Sequence, residues 1–217
     1  MTPPRPDRRR ERTRAALLRA GQTLFADRSV DGVSIDEIVQ AADVAKGSFY
    51  NHFPDKDALA LALADQARIS AEVTVAIASE GIADPAARVA RSLCLFVRNA
   101  REFPEPARMM LRLFHGAAVP DAPMNAGVRA DIQAGLAAGR FSGLGLEAAI
   151  LLAVGVVQIA VARTLEREAA QPEQQLAQEL AQALLAGLGV APDAARAVAE
   201  RAAAEIFRSA GGSRPGP

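Results

Sequence analysis

The chain of 217 residues has one cysteine, one tyrosine, two histidines and no tryptophan, and each scarcity removes a class of protein. Cys94 alone excludes an internal disulfide, which fits a reducing compartment, so a cytoplasmic location is expected. His52 and His115 with that single thiol spell out no metal-ligand cluster, so neither metal nor cofactor is expected. A glycine-rich phosphate loop and a well-placed nucleophile pair are also missing, which argues against an enzyme. Half of the residues are hydrophobic but only 4% are aromatic, so the core has to be built from Ala, Leu and Val. Such a composition, with no β alternation anywhere, predicts an all-α protein. No apolar run follows Met1–Arg5, so no signal peptide is apparent. The longest charge-free apolar stretch, Ala148–Ala162, would span about 22 Å as a helix at ~1.5 Å per residue. That falls short of the ~30 Å of a bilayer core, so the stretch reads as a buried helix and no membrane partner is expected.

Formal charge is zero, which speaks against indiscriminate polyanion binding, but its distribution is uneven. Arg5, Arg8, Arg9, Arg10, Arg12, Arg14 and Arg19 crowd the first twenty residues against Asp7 and Glu11. The only lysines are Lys46 and Lys56, and the only tyrosine, Tyr50, lies between them. A phosphate-facing surface would collect its residues in this way.

The stretch Ser34–Phe53 explains the clustering. Ser34 followed by Glu37 is a capping box, and Ile35, Ile38, Val39 and Ala42 then share one helical face. Asp43 and Val44 make a turn. Ala45, Phe49 and Phe53, four apart, form the back of a second helix whose front offers Lys46, Gly47, Ser48, Tyr50, Asn51 and His52. Pro54 stops it. Two short helices joined by a tight turn, with one polar face outward, are a helix-turn-helix.

The wording carries further. Phe25-Ala26-Asp27, Gly32, Ser34, Ile38, Ala42-Asp43-Val44, Lys46-Gly47-Ser48-Phe49-Tyr50, His52-Phe53 and Lys56-Asp57-Ala58-Leu59 resemble the tetracycline-repressor-like (TetR) family of transcriptional regulators. The resemblance covers roughly the first seventy residues. It implies an N-terminal three-helix bundle with the helix-turn-helix at 34–53, within a DNA-binding domain at 10–70. A larger helical domain for ligand binding and dimerisation follows at 71–210, with nine to ten helices in all. The implied partners are double-stranded DNA, a second copy of the chain and an unknown small-molecule effector. Ser34, Lys46, Gly47, Ser48 and Asn51 are the expected DNA-facing residues, with Tyr50, His52 and Lys56 at family positions that hold phosphates. Outside the motif, His52 would read as a surface or capping histidine.

Punctuation by Asp, Pro and Gly divides the remainder into helices at Lys56–Ser79, Pro85–Arg101, Pro104–His115, a stretch ending at Ala138, Leu146–Ala170, Pro172–Leu188 and Pro192–Ser209. A loop is expected at Pro120–Pro123, a helix from about Arg10 to Asp27, and a disordered arm before it. Leu146–Ala170 is apolar nearly all round and is expected to be buried all round. With the Leu176, Leu180, Leu184 ladder of the next helix, its Val154, Val157 and Val161 are candidates for a dimer interface. Candidates for an effector pocket are Phe96, Phe103, Met109, Met110, Leu113, Phe114, Phe141, Gln158 and Ile159, although Met and Phe at helical spacing serve equally well as plain core. A helical interaction module without DNA binding, or a small all-α enzyme, is the alternative.

Overall fold

The computed structural model describes residues 5–113, 125–166 and 172–208. Among them there are ten helices and no strand. They are α1 (Arg5–Asp27), α2 (Ile35–Ala41), α3 (Lys46–Tyr50), α4 (Lys56–Ser79), α5 (Pro85–Glu102), α6 (Pro104–Leu113), α7 (Ala126–Ala137), α8 (Leu146–Leu165), α9 (Glu173–Gly187) and α10 (Pro192–Arg208). The expected loop at Pro120–Pro123, and the helix ends beyond Leu113, Glu166 and Arg208, lie outside the described residues. The chain forms two compact units: Met1–Ala67 with Arg108–Phe114, and Arg68–Ala107 with His115–Pro217.

In the first unit α1 is longer than its periodicity suggests. It begins at Arg5 and takes in part of the arm expected to be disordered. Pro6 sits in the first turn, where its missing N–H costs nothing, and the Arg-rich stretch behind it is a good helix former. Leu17, Phe25, Ile38, Phe49, Phe53, Leu59 and Leu63 make one apolar cluster. Gly21 lets α1 approach closely: a Cβ there would lie 2.8 Å from a Leu59 methyl.

The second unit has its own core, in which α5 is the hub. It packs against α7, α8, α9 and α10, and Leu93, Cys94, Leu95 and Val97 are all buried. Asp84 caps α5, accepting from the Ala86 N–H at 3.0 Å, and Arg140 grips the same carboxylate at 2.9 and 3.0 Å. That guanidinium holds the Asp84 carboxyl below the usual carboxylate range. A second pair, Arg88 to Asp131 at 2.5 Å, ties α5 to α7. Burial pushes the Cys94 thiol up to about 12, so it is an inert core group.

The helix α8 departs from expectation. At 20 residues it is long and apolar enough to cross a bilayer by length and composition, yet one side packs against α5, α7 and α9. Nor is it buried all round, because Leu151, Ile159 and Ala162 are exposed. Val161 and, on α9, Leu184 are each 1% exposed within the single chain. These two interface candidates are therefore core residues of the protomer: their side of each helix already faces the unit's interior. Val154, Val157, Leu176 and Leu180 are half-buried.

Phe141 plugs the end of α7. A Cβ on Gly135 would fall 2.0 Å from its ring, while the Phe141 N–H donates to the Gly135 carbonyl at 3.1 Å. Gly135→Ala should destabilise the chain by about 1–3 kcal/mol, as overpacking does. Urea denaturation followed by circular dichroism measures it, and an unchanged midpoint would mean that Phe141 is free to move aside.

Candidate nucleic-acid interface

The interface is built from α2, the turn after it, α3, and the head of α4. Ser34 starts α2 as expected. The Glu37 N–H donates to the Ser34 hydroxyl at 3.2 Å, and the Ser34 N–H and hydroxyl both donate to Glu37 Oε2 at 2.8 Å. Arg28 pairs with the other carboxylate oxygen at 2.8 Å. The Ser34 N–H, then Arg28 and the Ser34 hydroxyl, lower the Glu37 carboxyl to about 2. Because its folded-state value is depressed, the cap is intact above the ordinary carboxylate range. It is lost only as pH falls through about 2.

The turn has a Schellman arrangement. The Val44 N–H donates to Val39 O at 3.0 Å and the Asp43 N–H to Gln40 O at 3.2 Å. Asp43 takes φ 53°, a left-handed conformation that Asp tolerates better than bulkier residues. The turn redirects the chain into α3, which is five residues long and has no side-chain cap at Ala45. Ala45 is exposed, and α3 ends at Tyr50, short of the expected stop at Pro54. Its back is therefore Phe49 alone, with Phe53 buried just beyond its end. Phe49 has no exposed surface, and its ring meets Phe53 at 5.9 Å and Tyr50 edge-on at 5.6 Å. The guanidinium of Arg14 lies 5.3 Å from the Phe53 ring centre.

The front is exposed. Lys46, Gly47, Tyr50 and Asn51 face solvent, while Ser48 and His52 are half-buried. Two of the cations are already engaged. Lys46 Nζ pairs with Asp36 at 2.8 Å, which raises its pKa, the hydrogen bond being the main cause. Lys56 Nζ donates to the carbonyls of Asp31 at 3.1 Å and Val33 at 3.3 Å, clasping the segment that leads into Ser34. His52 is held below its ordinary pKa by burial first, then by Arg10 and Arg14, and is neutral at pH 7. Asp36 and Arg28 were missed in the sequence, and Arg14 stood out there only as one of the N-terminal arginines. The partner of Asp36 comes from α3 and that of Arg14 is Phe53, just past the end of α3.

Sequence models of families give the same reading. That of the bacterial regulatory proteins of the tetR family matches residues 17–63, and a tetracyclin repressor-like C-terminal domain matches residues 84–201. The second match alone spans more than half of the chain. The chain belongs to the tetR family. It is 30% identical to RolR in the crystal structure with the ligand resorcinol, covering 90% of this chain and 96% of that one, with a TM-score of 0.58. RolR without ligand is 29% identical, with coverage of 86% and 96% and a TM-score of 0.57. A gamma-butyrolactone receptor, ArpA-like, is 22% identical over 92% and 99% of the two chains and shares the fold, with a TM-score of 0.69.

The pocket candidates of this tetR-family chain are divided between the two units, Met109 and Met110 in the first and Phe96, Phe103, Phe141, Gln158 and Ile159 in the second. Met109 belongs to the apolar cluster of the first unit, and Phe141 is core beneath Gly135. Phe103 and Ile159 are 59% and 68% exposed, and Phe96, Met110 and Gln158 are half-buried. Leu113 closes α6, and Phe114 lies outside the described residues. A cavity of about 320 Å³ does open in the second unit, between Ile82 and Ala87 on one side and Val198 and Arg201 on the other. None of the candidates lines it, and its walls carry Arg91 and Glu205 as an ion pair. Among the described residues no group of three or more His, Cys, Asp and Glu side chains could hold a metal ion.

One substitution on this face leaves folding untouched and a second does not. Nothing lies within 4 Å of a Cβ built on Gly47, so Gly47→Ala should fold at least as stably as the parent. It should bind DNA about tenfold more weakly, the loss of ~1.4 kcal/mol of close backbone contact. Lys56→Ala should lower stability by about 1–2 kcal/mol, because two carbonyls lose a charged donor. Thermal melts and duplex titrations of both variants check the pair.

Proposed function

We propose that the chain is a cytoplasmic, homodimeric, ligand-responsive repressor that reads a palindromic operator and is released by a small, mainly apolar effector. The observation that carries this reading is the shape of α3: a helix fixed by Phe49 and Phe53 on one side and presenting Lys46, Gly47, Tyr50 and Asn51 to solvent on the other. An α-helix fits the major groove, so Lys46, Gly47, Ser48 and Asn51 meet base edges while Tyr50, His52 and Lys56 reach phosphates. Ser34 serves recognition through the cap that orients α2.

Dimerisation is supported by the apolar surface that α8 leaves open, Leu151 and Ile159, flanked by half-buried Val154 and Val157. Leu176 and Leu180 on α9 extend it, whereas Val161 and Leu184 contribute from beneath as core. Two copies related by a two-fold axis would carry two recognition helices to the halves of one operator.

Ligand response is supported by the likeness to RolR, whose crystal structure holds resorcinol. The chain passes from its first unit to its second within α4, one unbroken helix that starts at Lys56. An effector that prefers the conformation with α4 displaced lowers DNA affinity by its differential affinity for the two conformations, and by no more than that.

A gel shift against the DNA upstream of the chain's own coding region, at two salt concentrations, tests the proposal. A sequence-preferring complex that weakens steeply with salt is expected, since each phosphate neutralised contributes about −0.9 to the slope of log K against log[salt]. Absence of any shift at low salt would refute it. His52 gives an independent readout: contact with a phosphate should raise its pKa from the depressed free value, so DNA binding should take up protons as pH falls toward 6.

A further inference from the structure

The ion pair between Lys46 and Asp36 has no part in the usual division between phosphate-holding and base-reading residues. Its two members come from different helices, Asp36 from the first turn of α2 and Lys46 from the first position of α3. Their charged atoms stand 2.8 Å apart, and both side chains are more than half exposed. Asp36 is not needed for the cap of α2, which Ser34 and Glu37 complete by themselves. The pair therefore puts an anion on the face that approaches a polyanion, directly against one of the chain's two lysines.

We propose that Asp36 is a specificity-determining residue that acts through Lys46, the two forming one donor–acceptor unit that reads a single base pair; this rests on the DNA-binding reading of α3. Moving the ammonium from Asp36 to a phosphate replaces one anion by another and leaves the carboxylate beside the backbone charge. A random phosphate encounter thus gains little. A base pair that offers acceptors next to a donor satisfies both groups at once. Guanine N7 and O6 accept from the ammonium, and the N4 amino group of the paired cytosine donates to the carboxylate. Asp36 in this role suppresses non-specific binding and favours a G·C pair at the position it faces.

The test uses the full chain and duplexes selected by it from a random 30-bp library, beside the unselected pool. Asp36→Asn should bind the unselected pool about fivefold more tightly, the upper end for an exposed ion pair. It should also lose preference for G·C at one position of each half-site, with preference elsewhere kept. Lys46→Ala should weaken binding and lose the same G·C preference, and in that background Asp36→Asn should alter base preference no further, because the two groups read the pair together. Circular dichroism on each variant confirms that α2 and α3 remain folded. If Asp36→Asn leaves base preference intact, or Lys46→Ala keeps the G·C preference, the unit does not exist and Asp36 is only a nearby charge. If the parent chain selects no duplex at all, the DNA-binding reading fails, and this inference with it.

Discussion

A five-residue helix has no business standing alone in water: one turn fixes several backbone angles for a single hydrogen bond. The constraint behind the whole interface is therefore the burial of the Phe49 ring, which has no exposed surface and sits among Leu17, Phe25, Ile38 and Leu59. Phe53 widens the attachment, and Arg14 covers its ring from α1. Burying one such side chain contributes about 1.5–3 kcal/mol. That is enough to hold α3 while leaving Lys46, Gly47 and Asn51 exposed.

Charge on this face is arranged as exchangeable contacts. Glu37 is occupied by Ser34 and Arg28, Lys46 by Asp36, and Lys56 by two carbonyls of the preceding loop. The exposed ion pairs are individually weak, whereas the Lys56 ammonium on two carbonyls holds the loop more firmly. Together they keep the loop, α2 and α3 in register. Lys56 shows both faces of this arrangement, since the same ammonium that would meet a phosphate also closes the loop into Ser34.

Much of this was readable wherever the controlling interaction is local. The Ser34–Glu37 box, the break at Asp43-Val44, the span of α4 and the Asp84-Pro85 start of α5 each depend on residues within a few positions of one another. What eluded the sequence depends on which side of a helix faces what. Val161 and Leu184 repeat at the same spacing as their half-buried neighbours, and only packing of α8 and α9 against α5 decides that they point inward. The apolar periodicity of α8 is nearly uniform, so the exposed side with Leu151 and Ile159 leaves no trace in it. Met109 and Phe141 look alike as pocket linings, yet one joins the core of the first unit and the other fills the space left by Gly135. The extension of α1 back to Arg5 was hidden because Pro6 reads as a breaker except in a first turn.

Tyr50 is the only tyrosine of the chain, lies 52% exposed on α3, and stacks edge-on against the buried Phe49. Incorporation of 3-fluorotyrosine therefore places a single fluorine resonance on the face at issue, with its ring still anchored from behind. Addition of a bound duplex should shift that resonance, and raising the salt until the complex dissociates should return it. A fluorine signal that stays unmoved while the DNA is demonstrably bound would mean that some other surface holds the nucleic acid.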